Sequence, residues 1–228
     1  MYYYGDPTYI LIIIGFVIAL AAQAMVKSAF RKWSDVPSST GMTGRDIARQ
    51  ILDANGLSDI PIRHIAGDMT DSYDPENNVL NLSDTVYNVS SVAALGVAAH
   101  ECGHAIQDAK DYFPLRFRSN LVPFANIGSE AAIPLLLLGL FLSFEPLQQI
   151  GIYLFLFSVL FYLVTLPVEF NASGRAIEIL KSELPDEEMQ GVRSVLFAAA
   201  MTYVASALQA ILQMVRLILL SRSDRRRD

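Results

Sequence analysis

The chain has 228 residues, 53% of them hydrophobic, with a mean hydropathy of +0.36 and a formal charge of −6. That is too apolar for an ordinary water-soluble protein, so membrane spans are expected. The acidic balance, with no interleaving of basic and aromatic residues, argues against nucleic acid as a partner, and a single cysteine excludes an internal disulfide.

Residues Thr8 to Val26 are almost wholly apolar, and Lys27, Arg31, Lys32 and Trp33 then arrive together. This length suits the roughly 20 residues a bilayer crossing needs, and the basic, aromatic flank suits an interface. A cleaved signal peptide would begin with basic residues, whereas Met1 to Pro7 carries only Asp6 and three tyrosines. Residues 1–33 therefore read as a retained anchor. From residue 34 to 120 the composition turns polar. Thr43-Gly44-Arg45-Asp46 predicts a capping box ahead of a short helix that Gly56 can close. Ile60 to Ile65 and Val79 to Leu82 predict two short strands, with a turn at Asp74-Pro75-Glu76-Asn77-Asn78 before the second. An exposed edge strand here could hold an extended peptide by main-chain hydrogen bonds, and a hairpin that only covers the next helix is the plain alternative.

That next helix carries Ala98-Ala99-His100-Glu101-Cys102-Gly103-His104-Ala105-Ile106-Gln107, with Ser90 or Ser91 able to cap its start. His100 and His104 fall one turn apart on one face and can offer two imidazole nitrogens to a single metal ion. Glu101 is turned by about 100° from the pair, beside the metal, where it could orient a water and take its proton. That is the arrangement a zinc peptidase needs. The bland alternative is two histidines hydrogen-bonded within a packed helix, but the chain has only three histidines and two of them bracket a glutamate at this spacing. Cys102 lies on another face and reads as a small packing residue. His64, alone on its strand, reads as a surface or core histidine.

Two more apolar stretches, Leu121 to Phe144 and Ile150 to Val168, are separated only by Glu145 to Gln149, which predicts a membrane hairpin over residues 121–168. Glu130 lies inside it, and a carboxyl at membrane depth is a functional candidate. Residues 169–193 are polar again, with a helical look from Ala172 to Leu184. The last segment, 194–228, combines an apolar helix with a basic tail. Along that helix Thr202, Ser206, Gln209, Gln213 and Arg216 form a polar stripe that should face protein or water. Basic residues at the span ends put the metal motif on the cytoplasmic side, although Arg222, Arg225, Arg226 and Arg227 would then end outside if the last helix crosses completely.

Two histidines need a third protein ligand, and Glu130, Glu169, His64 and the acidic residues of the polar segment are the choices. Glu169 is the best placed, emerging at the end of the hairpin. The order of anchor, polar segment, H-E-x-x-H and apolar hairpin is matched by four anchors: Asp71-Ser72-Tyr73-Asp74-Pro75, the His100 motif, Pro167-Val168-Glu169-Phe170-Asn171-Ala172-Ser173, and Leu208 to Leu217. In these it resembles the YugP-like bacterial membrane zinc metallopeptidases, and more distantly the integral-membrane CAAX prenyl proteases.

The resemblance implies a mainly α membrane protein with a small α+β zincin-like lobe of the gluzincin kind, at residues 34–120. It implies one zinc ion held by His100, His104 and Glu169, with Glu101 as general base and Asn171 and Ser173 supporting the ligands from behind. The implied activity is hydrolysis of peptide or protein substrates at the bacterial cytoplasmic membrane, embedded in the lipid bilayer. Ser72, Asn171 and Cys102 depart from the residues usual in the family, and Asn171 replaces a carboxylate. Arg175, Tyr73 and Tyr203 are candidate electrophiles. A membrane scaffold with a closed, structural zinc site is the rival reading, and a fourth protein ligand would be its mark.

Overall fold

The computed structural model describes residues 7–224. Met1 to Asp6 and the tail residues Arg225, Arg226 and Arg227 lie outside the described residues. In chain order the elements are α1 (Tyr9–Ser34), α2 (Gly44–Ala54), β1 (Ile62–His64), β2 (Ser72–Asp74), β3 (Val79–Leu82), α3 (Val92–Ala109), α4 (Phe113–Phe141), α5 (Glu145–Leu180) and α6 (Asp186–Asp224). The protein is thus mainly helical with one small sheet, and it divides into two compact units.

One unit takes the chain up to Ala22, Phe117–Leu166 and the chain from Thr202 onward. Its helices are parts of α1, α4, α5 and α6, the four among the described residues that are long and apolar enough to cross a membrane. A helix satisfies its own backbone polar groups, which is the condition for crossing hydrocarbon. The unit's small core gathers Ala132, Leu136, Phe155, Val159, Ala210 and Leu217. The expected turn at Glu145 to Gln149 lies earlier, at Leu142 to Phe144, with Ser143 at positive φ. Glu145 and Pro146 instead open α5, where a proline's missing N–H costs nothing and an acidic side chain meets the helix dipole. The polar stripe of α6 is also accounted for. Ser206, Gln209 and Gln213 line a cavity of about 260 Å³ with Ser129, Ser158 and Tyr162, and the Arg216 guanidinium stacks over Tyr9 at 4.6 Å. Near the end of α6, the buried Ser221 donates to Gln148 Oε1 at 2.8 Å, so the helix continues beside the start of α5 rather than stopping short.

The other unit comprises Gln23–Arg116 and Pro167–Met201. Here α2 begins at Thr43, whose hydroxyl accepts the Asp46 N–H while the Asp46 carboxylate accepts the Thr43 N–H, the reciprocal cap read from the sequence. Beyond its end Gly56 takes φ +74°, a left-handed conformation that glycine adopts without strain. Ile47, Ala48, Ile51 and Leu52 of α2 join Leu80 and Leu82 of β3 and Leu95, Ala98, Ala99 and Cys102 of α3 in one buried core. Each fully buried Leu or Ile contributes about 1.5–3 kcal/mol. The Ser91 hydroxyl caps α3 by accepting the Ala94 N–H.

The sheet corrects the two-strand expectation. Its order is β1-β3-β2, with β1 parallel to β3 and β2 antiparallel to it, Tyr73 opposite Leu80. Val79 to Leu82 is therefore the buried central strand. The edge strand on the metal-motif side is Ser72–Asp74, which has no apolar alternation to mark it in the sequence.

Candidate metal centre

The site forms where α3 meets the latter part of α5. Gly103 makes that approach possible: a Cβ added there would lie 2.7 Å from the Ala172 carbonyl oxygen and 3.1 Å from its Cα. The crossing point sits between His100 and His104 on one helix and between Glu169 and Ser173 on the other. His100 Nε2 and His104 Nε2 are 3.2 Å apart, and Glu169 Oε2 lies 3.4 Å from the first and 3.6 Å from the second.

These separations can be tested against a metal. A tetrahedral centre with bonds of about 2.0–2.1 Å has ligand-to-ligand edges of about 3.3–3.4 Å, and all three observed edges fall close to that. Two imidazoles and a carboxylate are also the donor types zinc takes at open sites. The cluster is a candidate metal site, and among the described residues no fourth His, Cys, Asp or Glu joins the group. Glu169 is almost fully buried, and so is His100.

Behind the three donors stands a second set of contacts. Ser173 Oγ lies 3.1 Å from His100 Nδ1. Asn171 does not touch either histidine. It reaches His104 only through Gln107, whose Oε1 is 3.0 Å from His104 Nδ1 and whose Nε2 donates to Asn171 Oδ1 at 3.0 Å and to the Val168 carbonyl at 2.8 Å. Gln107 is fully buried, and in the sequence it closes the His100 motif without a role of its own. Its position three residues after His104, on the same helical face, is the signal that could have found it.

Glu101 faces β2. Its Oε2 accepts the Tyr73 N–H at 2.9 Å, while the Tyr73 hydroxyl donates to Asp108 at 2.9 Å, so one residue of the edge strand is fastened to α3 at both ends. The N–H that an added peptide strand would meet at the centre of this edge is thus held by Glu101. Burial, with Asp108 as acceptor and neighbouring charge, pushes the Tyr73 phenol well above its ordinary pKa, so it stays a neutral donor.

The remaining candidates separate. Arg175 donates through Nε to Asn171 Oδ1 at 2.8 Å, Tyr203 belongs to the other unit, and Glu130 is exposed there on α4. His64 pairs with Asp84 at 2.7 Å and stacks on Tyr87, outside the cluster. Cys102 is fully buried, burial pushes its thiol up, and it donates to the Ala48 carbonyl at 3.6 Å, outside the cluster.

Two helix-borne histidines and a glutamate from a later helix thus form a candidate metal site in a chain with four described helices long and apolar enough to cross a membrane. The chain belongs to the family described as "Putative neutral zinc metallopeptidase", whose profile matches residues 8–222. It is 46% identical over 201 residues, 87% of this chain and 89% of the relative, to the "Putative membrane protease YugP" of Bacillus subtilis (strain 168). No solved structure matches it.

Proposed function

We propose that this chain is an integral-membrane zinc endopeptidase of the gluzincin type, with one zinc ion held by His100, His104 and Glu169. Its parts are an anchor (1–33), a zincin-like lobe (34–120), a membrane hairpin (121–168), a third-ligand segment (169–193) and a closing membrane helix with a basic tail (194–228). The single observation that carries the reading is the meeting of three donor atoms at 3.2, 3.4 and 3.6 Å, with a glutamate beside them. A zinc ion held there supplies Lewis acidity toward a peptide carbonyl and lowers the pKa of a water it binds.

The chain's own residues would do the rest. Glu101 takes a proton from the attacking water as its oxygen bonds to the carbonyl carbon, and returns that proton to the nitrogen as the C–N bond breaks. The Tyr73 N–H holds Oε2 of that carboxylate, leaving its other oxygen available for the proton transfer. Ser173 steadies the His100 ring from behind. The basic residues Lys27, Arg31, Lys32, Arg116 and Arg118 at the span ends favour a cytoplasmic face for the site. A closed structural zinc would need a fourth protein donor, and the described cluster offers three.

Glu101→Gln is the test. It should keep zinc at the wild-type level and lower peptide hydrolysis by a factor of about 100 or more. Full turnover in that variant would remove Glu101 from the chemistry.

A further inference from the structure

We infer that Gln107, set by Asn171 and Arg175, is a positioning residue that fixes the tautomer of His104 and ties that ring to the helix bearing Glu169. This rests on the metal reading above and goes beyond it.

The hydrogen-bond polarity follows from two groups whose roles admit no choice. Val168 offers a carbonyl, which only accepts, so the end of the Gln107 amide 2.8 Å from it must be nitrogen. Arg175 offers a guanidinium N–H, which only donates, so the end of the Asn171 amide 2.8 Å from it must be oxygen. Gln107 Nε2 therefore spends its two hydrogens on Val168 and Asn171. Its oxygen is left for His104 Nδ1, which must carry a hydrogen. A neutral His104 ring protonated at Nδ1 turns the lone pair of Nε2 toward His100 and Glu169, the form a metal ligand requires. His100 has no such constraint, because the Ser173 hydroxyl opposite its Nδ1 can donate or accept.

The same amide bridges two helices. Gln107 sits on α3 three residues beyond a ligand, and the carbonyl it holds belongs to the residue just before Glu169 on α5. A shift of either helix would break it, so ring orientation and the Glu169 approach are set together. An aspartate at position 171 would leave the logic intact, since it too presents an oxygen to both Arg175 and Gln107.

The experiment uses the full-length protein in detergent, purified with ¹⁵N-labelled histidine; with only three histidines in the chain, His64→Ala and His104→Ala assign the ring signals. In the zinc-loaded wild type, His104 should show a protected Nδ1–H. Gln107→Met, close in shape but without the amide, should lose that signal and bind zinc about 10- to 100-fold more weakly by chelator competition. Asn171→Leu should shift both readouts in the same direction, and Asn171→Asp should restore wild-type behaviour. The inference is overturned if Gln107→Met and Asn171→Leu keep both the Nδ1–H signal and wild-type affinity. Glu169→Ala distinguishes the two levels. If it keeps zinc, the ligand set is wrong, whereas if it alone loses zinc only the Gln107 relay is wrong.

Discussion

The two units share parts of the same long helices, to which the second adds α2, α3 and the sheet, and they should tolerate change differently. In the membrane unit, Ile13, Phe16, Leu137, Leu138 and Phe141 point outward and the buried core is small, because lipid can cover an apolar face. In the metal-site unit, Ile47, Leu52, Leu80, Leu82 and Leu95 are fully enclosed, and α3 and α5 meet so closely that a single Cβ at Gly103 would collide with backbone. The first unit needs side chains of the right polarity, the second needs side chains of the right shape. A metal site belongs in the second, since its donors must be held to within a fraction of an ångström.

Substitutions in the two units put that contrast to the test. The largest loss is expected for Leu95→Ala in the core around α3, about 2–5 kcal/mol of stability by the cavity it leaves, read as a lowered midpoint of thermal unfolding in detergent. Gly103→Ala comes next. It should cost about 1–3 kcal/mol by overpacking and, by forcing α3 from α5, should also release zinc. Gly174→Ala is its control, because a Cβ there meets nothing within 4 Å.

A smaller effect, about 1 kcal/mol, is expected for Thr43→Ala at the α2 cap. The Thr43 hydroxyl first, and its backbone N–H second, hold the Asp46 carboxyl below its ordinary value. The sign follows from linkage: this contribution is present above the usual carboxylate pKa of about 3.9 and is lost as pH falls below it. The stability gap between the wild type and Thr43→Ala should therefore narrow in acid, where the Thr43 hydroxyl still caps the Asp46 N–H, and widen toward neutral pH. The smallest effect is expected in the membrane unit, where Leu137→Val on an outward face should change the unfolding midpoint within about 0.5 kcal/mol. A loss there as large as that of Leu95→Ala would erase the contrast.

Legibility in the sequence followed the same division. Each membrane helix could be read by itself, since hydropathy over some twenty residues decides whether a helix can cross, and the four candidate spans fall on the four apolar stretches. The Thr43 cap, and a serine cap at 90 or 91 that the structure resolves to Ser91, were legible for the same reason, both being local. In the site, the spacing of His100, Glu101 and His104 was legible because it is local, and Glu169 was reached from its place at the end of the apolar hairpin and from the family resemblance. What stayed hidden depends on pairs far apart in the chain: Gly103 against Ala172, Gln107 against Val168 and Asn171, and the Tyr73 N–H against Glu101. β2 escaped because three residues are too few to show a period, and its pairing with β3, not its composition, makes it a strand.

In the proposed site a carboxylate from the later helix completes a zinc centre begun by the α3 histidines. The decisive measurement is the metal content of the purified wild type, Glu169→Ala and Glu130→Ala. About one zinc per chain in the wild type and in Glu130→Ala, with little or none in Glu169→Ala, is the expected result. Zinc retained at the wild-type level in Glu169→Ala, or lost on replacing Glu130, would contradict it.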